Sequence, residues 1–321
     1  MRARIAQDDK GRGMTSPIGR PRGSAVVLKL VLVAAAVITA ACGGGSNSGT
    51  TKPASSLAAA RQASATLKPM PGYPGSVVIL GDSRGTGDDS DPNNPNTDVP
   101  SNDWATGTNP AVDSVYLRLL ARDPAIKGHN YNLAQDGTGV DALANNQAHR
   151  AVKLTPTPQL FLISTGGNDI TTCPAQATYV KAYGATLAKA LSVLASGAPQ
   201  SHTFIVSQWG SPTTYARALS QPDRQQVRGN STASCTFFDS NGRVIPRKMT
   251  QVEATIQSYD AEAQAVCARI SQCRYDGRAF GQVVDRLSYF SENLSELSIA
   301  GHAKAAAVAW AAMQRTGIIP R

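Results

Sequence analysis

The 321 residues are 41% hydrophobic and 17% charged, a balance that excludes disorder of the whole chain and suits one full-sized core or two small ones. Formal net charge is +9, but residues 1–41 hold seven Lys and Arg (Arg2, Arg4, Lys10, Arg12, Arg20, Arg22, Lys29) against Asp8 and Asp9. Without that +5 the remainder keeps +4, too little to point to nucleic acid as a partner.

Residues 25–41 form an apolar run broken only by Lys29, preceded by arginines and ending in small residues, the layout of an export signal. The run closes on Ala40-Ala41-Cys42 before Gly43-Gly44-Gly45, which is similar to the lipobox of bacterial lipoproteins, with Thr39 standing where that box prefers an aliphatic residue. The resemblance implies a signal peptide over 1–41, acylation of Cys42 and a domain anchored by lipid on the extracytoplasmic face of the cell membrane. The polar leader before Met14 is long for a signal, which points to Met14 as the translation start. Residues 42–70 are rich in Gly, Ser, Ala and Thr, the composition of a flexible tether, and a single domain is expected over 71–321.

That domain opens on Val77-Val78-Ile79-Leu80, which reads as a buried strand running into Gly81-Asp82-Ser83. The serine falls just past the strand end, where open α/β sheets hold their chemistry, and the glycine permits the sharp turn that presents the hydroxyl. Residues 84–110 carry Asp88, Asp89, Asp91, Asp98 and Asp103 without the regular spacing of a calcium loop, and read as a solvated loop beside the site. A helix over 111–122, a short strand over 131–134, the turn 135–139 and a helix over 140–152 come next. A second apolar strand over 159–164 ends in Thr165-Gly166-Gly167-Asn168-Asp169. Beyond it the pattern predicts a helix over 179–194, a strand over 203–207, a loop-rich insertion over 210–246, and helices over 251–270 and 298–313, the last with Ser298 as N-cap. Strands alternating with helices imply a mainly parallel sheet covered on both faces.

Besides Cys42 there are four cysteines, an even set that in an exported domain favours two disulfides. Sequence alone does not separate the three pairings; closeness in the chain favours Cys267 with Cys273, and hence Cys173 with Cys235. Neither a paired CxxC nor an HExxH occurs, histidines stand only at 129, 149, 202 and 302, and no phosphate-binding loop is present, so neither metal nor cofactor is expected.

Three strand-end turns, Gly81-Asp82-Ser83, Gly137 and Gly166-Gly167-Asn168-Asp169, stand in the order of the Ser, Gly and Asn blocks of the SGNH (GDSL) hydrolases, and the stretch 101–136 is similar to secreted actinobacterial members. The resemblance spans residues 75–315. It implies a flavodoxin-like three-layer α/β/α sandwich and an esterase or lipase acting through a serine acyl-enzyme on a small-molecule, lipid or glycan ester. Ser83 would be the nucleophile, with the N–H groups of Ser83 and Gly137 and the amide of Asn168 receiving the oxyanion.

The family's closing Asp-x-x-His block is not matched, and two registers compete. One places His302 as base with Ile299 where the orienting aspartate belongs. The other places Asn293 and Glu296 in the two catalytic positions, although an exposed glutamate near its ordinary pKa is a weak base at neutral pH. His302 is the expected base, being the one histidine near the last block, with Glu296 the alternative. Two further readings stay open: the elbow pattern G-x-S-x-G of α/β-hydrolases, opposed because several strands precede the elbow in that fold whereas only the expected signal and tether come before the first strand here, and a catalytically degenerate lipoprotein that binds a cell-envelope component.

Overall fold

The computed structural model describes residues 72–230 and 234–321, all within the unit Leu57–Arg321. The expected signal 1–41, the lipidation site Cys42 and the tether 42–70 lie outside the described residues. Among the described residues no helix is long and apolar enough to cross a membrane.

The chain runs β1 (Val77–Gly81), α1 (Ser83–Thr86), α2 (Val115–Leu120), β2 (Asn130–Asn132), α3 (Val140–Ala142), a π-helical turn (Leu143–Gln147), α4 (Ala148–Ala151), β3 (Leu160–Ser164), α5 (Ala177–Gly197), β4 (His202–Ile205), α6 (Pro212–Ala218), α7 (Gln221–Asn230), α8 (Pro246–Cys267), β5 (Cys273–Tyr275) and α9 (Ile299–Thr316). The five strands form one parallel sheet in the order β2-β1-β3-β4-β5. This is the doubly wound, flavodoxin-like order, in which the winding reverses between β1 and β3 and opens a crevice at their carboxyl ends.

Strand periodicity sorts the core into two layers. Val77, Ile79, Leu160, Leu162 and Phe204 face α2 and α9, whose Leu119, Ala305, Ala309 and Met313 cover them. Val78, Leu80, Phe161, Ile163 and Ile205 face the opposite way, onto α5 and α8 through Leu187, Leu191, Tyr259 and Ala263. With both faces covered, strands read as unbroken apolar runs, and each fully buried Val, Leu, Ile or Phe contributes roughly 1.5–3 kcal/mol. α9 meets the sheet through alanines, which let its backbone approach closely, and Ser298 caps it by accepting from the Gly301 N–H at 3.2 Å.

Four sequence expectations need correction. α2 begins only at Val115, because Asp113 sits at φ +50° and Ser114 caps the helix by accepting from the Leu117 N–H. Residues 84–110 are not simply a solvated loop: Asp103 and Trp104 are fully buried, and Trp104 packs edge-on against Phe280 at 5.4 Å. The insertion 210–246 holds two helices, α6 and α7, the first begun by a capping box of Ser211 and Thr214 with Pro212 in its first turn. The last strand, β5, was missed, being three residues long with an arginine at its centre.

The two disulfides form as expected, Cys173 with Cys235 and Cys267 with Cys273. The first joins the insertion to the chain leaving β3, beside a small separate core of Ala216, Leu219, Val227, Phe237, Phe238, Val252 and Leu294.

Candidate active site

Gly81 makes the site possible. Its φ of +132° and its contact with the Ser164 carbonyl leave no room for a Cβ. Its peptide is then clamped from both sides by one buried side chain: Gln147 Oε1 accepts from the Gly81 N–H at 2.7 Å, and Gln147 Nε2 donates to the Gly81 carbonyl at 2.9 Å. Gln147 closes the π-helical turn, which re-aims this residue onto β1. The chain beyond is thereby fixed, with the Asp82 N–H donating to Ser164 O and the Asp82 carboxylate accepting from the Arg84 N–H at 3.3 Å to cap α1. Gly85 packs where a Cβ would strike Ala134 and Ile79. The literal G-x-S-x-G thus has a packing origin.

Ser83 therefore stands at the amino end of α1, 8% exposed, in the crevice at the switch point. Its Oγ donates to Glu296 Oε1 at 3.1 Å. Glu296 is half-buried, and burial pushes its carboxyl up to about 7; the Arg84 charge and the Ser83 hydrogen bond oppose the shift, while Asp82 and Asp88 add to it. Asp82 is raised to about 6, again chiefly by burial.

The turn that carries Glu296 is built to hold it. Asn293 Oδ1 accepts from Ser291 Oγ at 2.9 Å, the Ser295 N–H at 2.7 Å and the Glu296 N–H at 3.0 Å. Leu294 is held at φ +62°, uncommon for a branched residue, with its side chain in the core of the insertion and its carbonyl accepting from Tyr215 Oη at 2.6 Å. Gln226 Nε2 adds a bond to the Glu292 carbonyl at 2.9 Å. The insertion is thus a buttress for the segment opposite Ser83.

His302 takes no part in this contact. It lies in the first turn of α9 at 1% exposure, its Nδ1 has no hydrogen-bond partner, and burial together with the Arg84 charge lowers it to about 3. The hydroxyl of Ser83 donates to Glu296, and the expected bond to His302 is not made.

The other two turns meet at the end of β1. The Gln135 N–H donates to the Gly81 carbonyl at 3.0 Å, Asn168 Nδ2 donates to the Thr138 carbonyl at 2.9 Å, and the Asp169 carboxylate accepts from the Val140 N–H at 3.1 Å. Gly137 sits at φ +67° in an exposed turn, and among the described residues neither its N–H nor that of Ser83 is used in a hydrogen bond. Asn168 is exposed, and one N–H of its amide is turned to Thr138.

Sequence reading missed Gln147, the Arg84–Gln208 contact and Tyr215. The signal for Arg84 was its place beside Ser83; the other three have none, since each acts on chain far away in sequence. Among the described residues no cluster of His, Cys, Asp and Glu is arranged to hold a metal.

Fold and site together define a doubly wound α/β domain with a serine at its switch point, hydrogen-bonded to a half-buried carboxyl. No protein-family model and no curated protein matches the sequence. Solved structures similar to it include phospholipase A1 from Streptomyces albidoflavus NA297, at 15% identity, covering 74% of this chain and 99% of that one, TM-score 0.44. Others are an acetyl-xylooligosaccharide esterase from Geobacillus Stearmophilus (16%, 77% and 95%, TM-score 0.43) and a family two carbohydrate esterase from Clostridium thermocellum (15%, 78% and 65%, TM-score 0.46).

Proposed function

We propose that the domain hydrolyses carboxylic esters through a covalent serine intermediate, with Ser83 as nucleophile and Glu296 as general base. The carrying observation is the 3.1 Å hydrogen bond from Ser83 Oγ to a carboxyl whose proton affinity burial has moved to about 7. A base poised near the operating pH is what proton transfer from a hydroxyl requires.

In the first half-reaction the Ser83 proton passes to Glu296 as Oγ bonds to the ester carbonyl carbon. Negative charge gathers on the carbonyl oxygen, where the free N–H groups of Ser83 and Gly137 and the amide of Asn168 receive it. Collapse breaks the bond to the leaving alkoxy oxygen, which takes the proton from Glu296, and alcohol departs. Water then gives its proton to Glu296 as it attacks the acyl carbon, and Ser83 regains a proton as the acid leaves. His302, buried and with its imidazole neutral, takes no part in these steps.

The run 25–41 and Cys42 support a lipid-anchored domain on the extracytoplasmic face, and the disulfides suit an oxidising compartment. The substrate is then an ester of lipid, envelope glycan or a small molecule. The test is hydrolysis of short-chain para-nitrophenyl esters by the purified chain beside Ser83→Ala. Activity lost in the variant supports the reading; a parent no faster than Ser83→Ala across several acyl lengths overturns it and leaves the envelope-binding alternative.

A further inference from the structure

The residue after the nucleophile carries a charge that the protein leaves unpaired, and its role as a binding group rests on the proposed ester hydrolysis. Arg84 is half-buried, and its Nη1 donates to Gln208 Oε1 at 3.2 Å. Gln208 is itself fixed, its Nε2 donating to the Thr165 carbonyl at 2.8 Å and its N–H to Asp260 Oδ1 at 3.0 Å. Among the described residues this is the one hydrogen bond made by the Arg84 guanidinium, and no carboxylate oxygen lies within 4.0 Å of it.

Carboxyl groups are close enough to feel the charge, yet each is engaged elsewhere. Glu296 takes the Ser83 hydroxyl, Asp82 accepts the Arg84 backbone N–H, and Asp285 takes Trp209 Nε1 at 2.9 Å and Thr214 Oγ1 at 2.6 Å. His302, also within its field, is neutral. A guanidinium removed from much of its water with most of its fork unused is costly unless an anion completes it, and that planar fork matches carboxylate and phosphate oxygens in pairs.

We propose that Arg84, aimed by Gln208, is a substrate-binding residue that receives an anionic group on the ester, so that negatively charged esters are the preferred substrates. The alternative is an arginine that serves only the charge balance of Glu296. The two differ in a ratio: an effect on Glu296 changes all esters alike, whereas an anion site changes only charged ones.

The experiment compares kcat/KM for the mono-para-nitrophenyl ester of glutarate and for para-nitrophenyl butyrate, in the full chain and in Arg84→Gln and Arg84→Lys. The expected result is a fall in the charged-to-neutral ratio of about tenfold or more in Arg84→Gln, the size of one charge-assisted hydrogen bond, with Arg84→Lys between. In parallel, glutarate binding is titrated by calorimetry on Ser83→Ala and on Ser83→Ala combined with Arg84→Gln; binding by the first and loss in the second is expected. An unchanged ratio together with glutarate binding that is absent or independent of Arg84 overturns the proposal. Arg84-dependent binding with no hydrolysis of either ester keeps the anion site and rejects the hydrolase reading, so the two failures are told apart.

Discussion

Two proton acceptors stand six positions apart near the end of the chain, and their surroundings exchange the roles their chemistry suggests. The turn 291–297 brings Glu296 to the Ser83 hydroxyl and, by burying it, raises its carboxyl to about 7. The first turn of α9 carries His302, whose ordinary pKa suits neutral pH, into full burial and lowers it to about 3, with no hydrogen bond to the Ser83 hydroxyl. Contact and environment, and not side-chain type alone, therefore decide which group is placed to accept the Ser83 proton in the proposed mechanism.

Substitutions break this comparison in descending order. Ser83→Ala removes the proposed nucleophile and is expected to lower kcat by at least about 10⁴-fold in ester hydrolysis. Glu296→Gln keeps an oxygen beside Ser83 that cannot take the proton; its expected cost is about 10²–10⁴-fold in kcat/KM. Asn168→Ala, by removing one proposed oxyanion donor, is expected to cost about 10²-fold in kcat with little change in KM. His302→Ala is expected to leave kcat/KM within about threefold, yet to cost roughly 2–4 kcal/mol in denaturant unfolding, as large-to-small changes at buried sites do.

A smaller effect sharpens the same point through stability. The folded-state pKa of Glu296 lies above its ordinary 4.5, so the folded protein binds more protons there than the unfolded chain. The contribution is fully present below about 4.5 and is lost as pH rises through about 7. The Tm of the wild type relative to Glu296→Gln is therefore expected to fall between those pH values, and a difference independent of pH would contradict a raised carboxyl at this position.

The parts legible in the sequence are those set by local pattern. The apolar runs of β1 and β3 marked the centre of the sheet, and the glycines after them marked its functional edge. Ser298 before an alanine-rich run marked the start of α9. β5 was hidden because three residues centred on Arg274 show no period, and α7 because its surface is almost wholly polar. The proton affinity of Glu296 could not be read at all. It depends on burial by the turn 291–297, which depends in turn on Tyr215 and Gln226 from an insertion that reads as loop. Gln147 acts on Gly81 from 66 residues away, through a π-helical turn that no spacing announces.

The most direct measurement is the rate at which a fluorophosphonate labels Ser83 as a function of pH, in the wild type, Glu296→Gln and His302→Ala. With Glu296 as base, the rate rises with pH through about 7 in the wild type and in His302→Ala, and collapses in Glu296→Gln. Labelling that survives Glu296→Gln but is lost in His302→Ala would contradict that assignment and return the imidazole to the role of base.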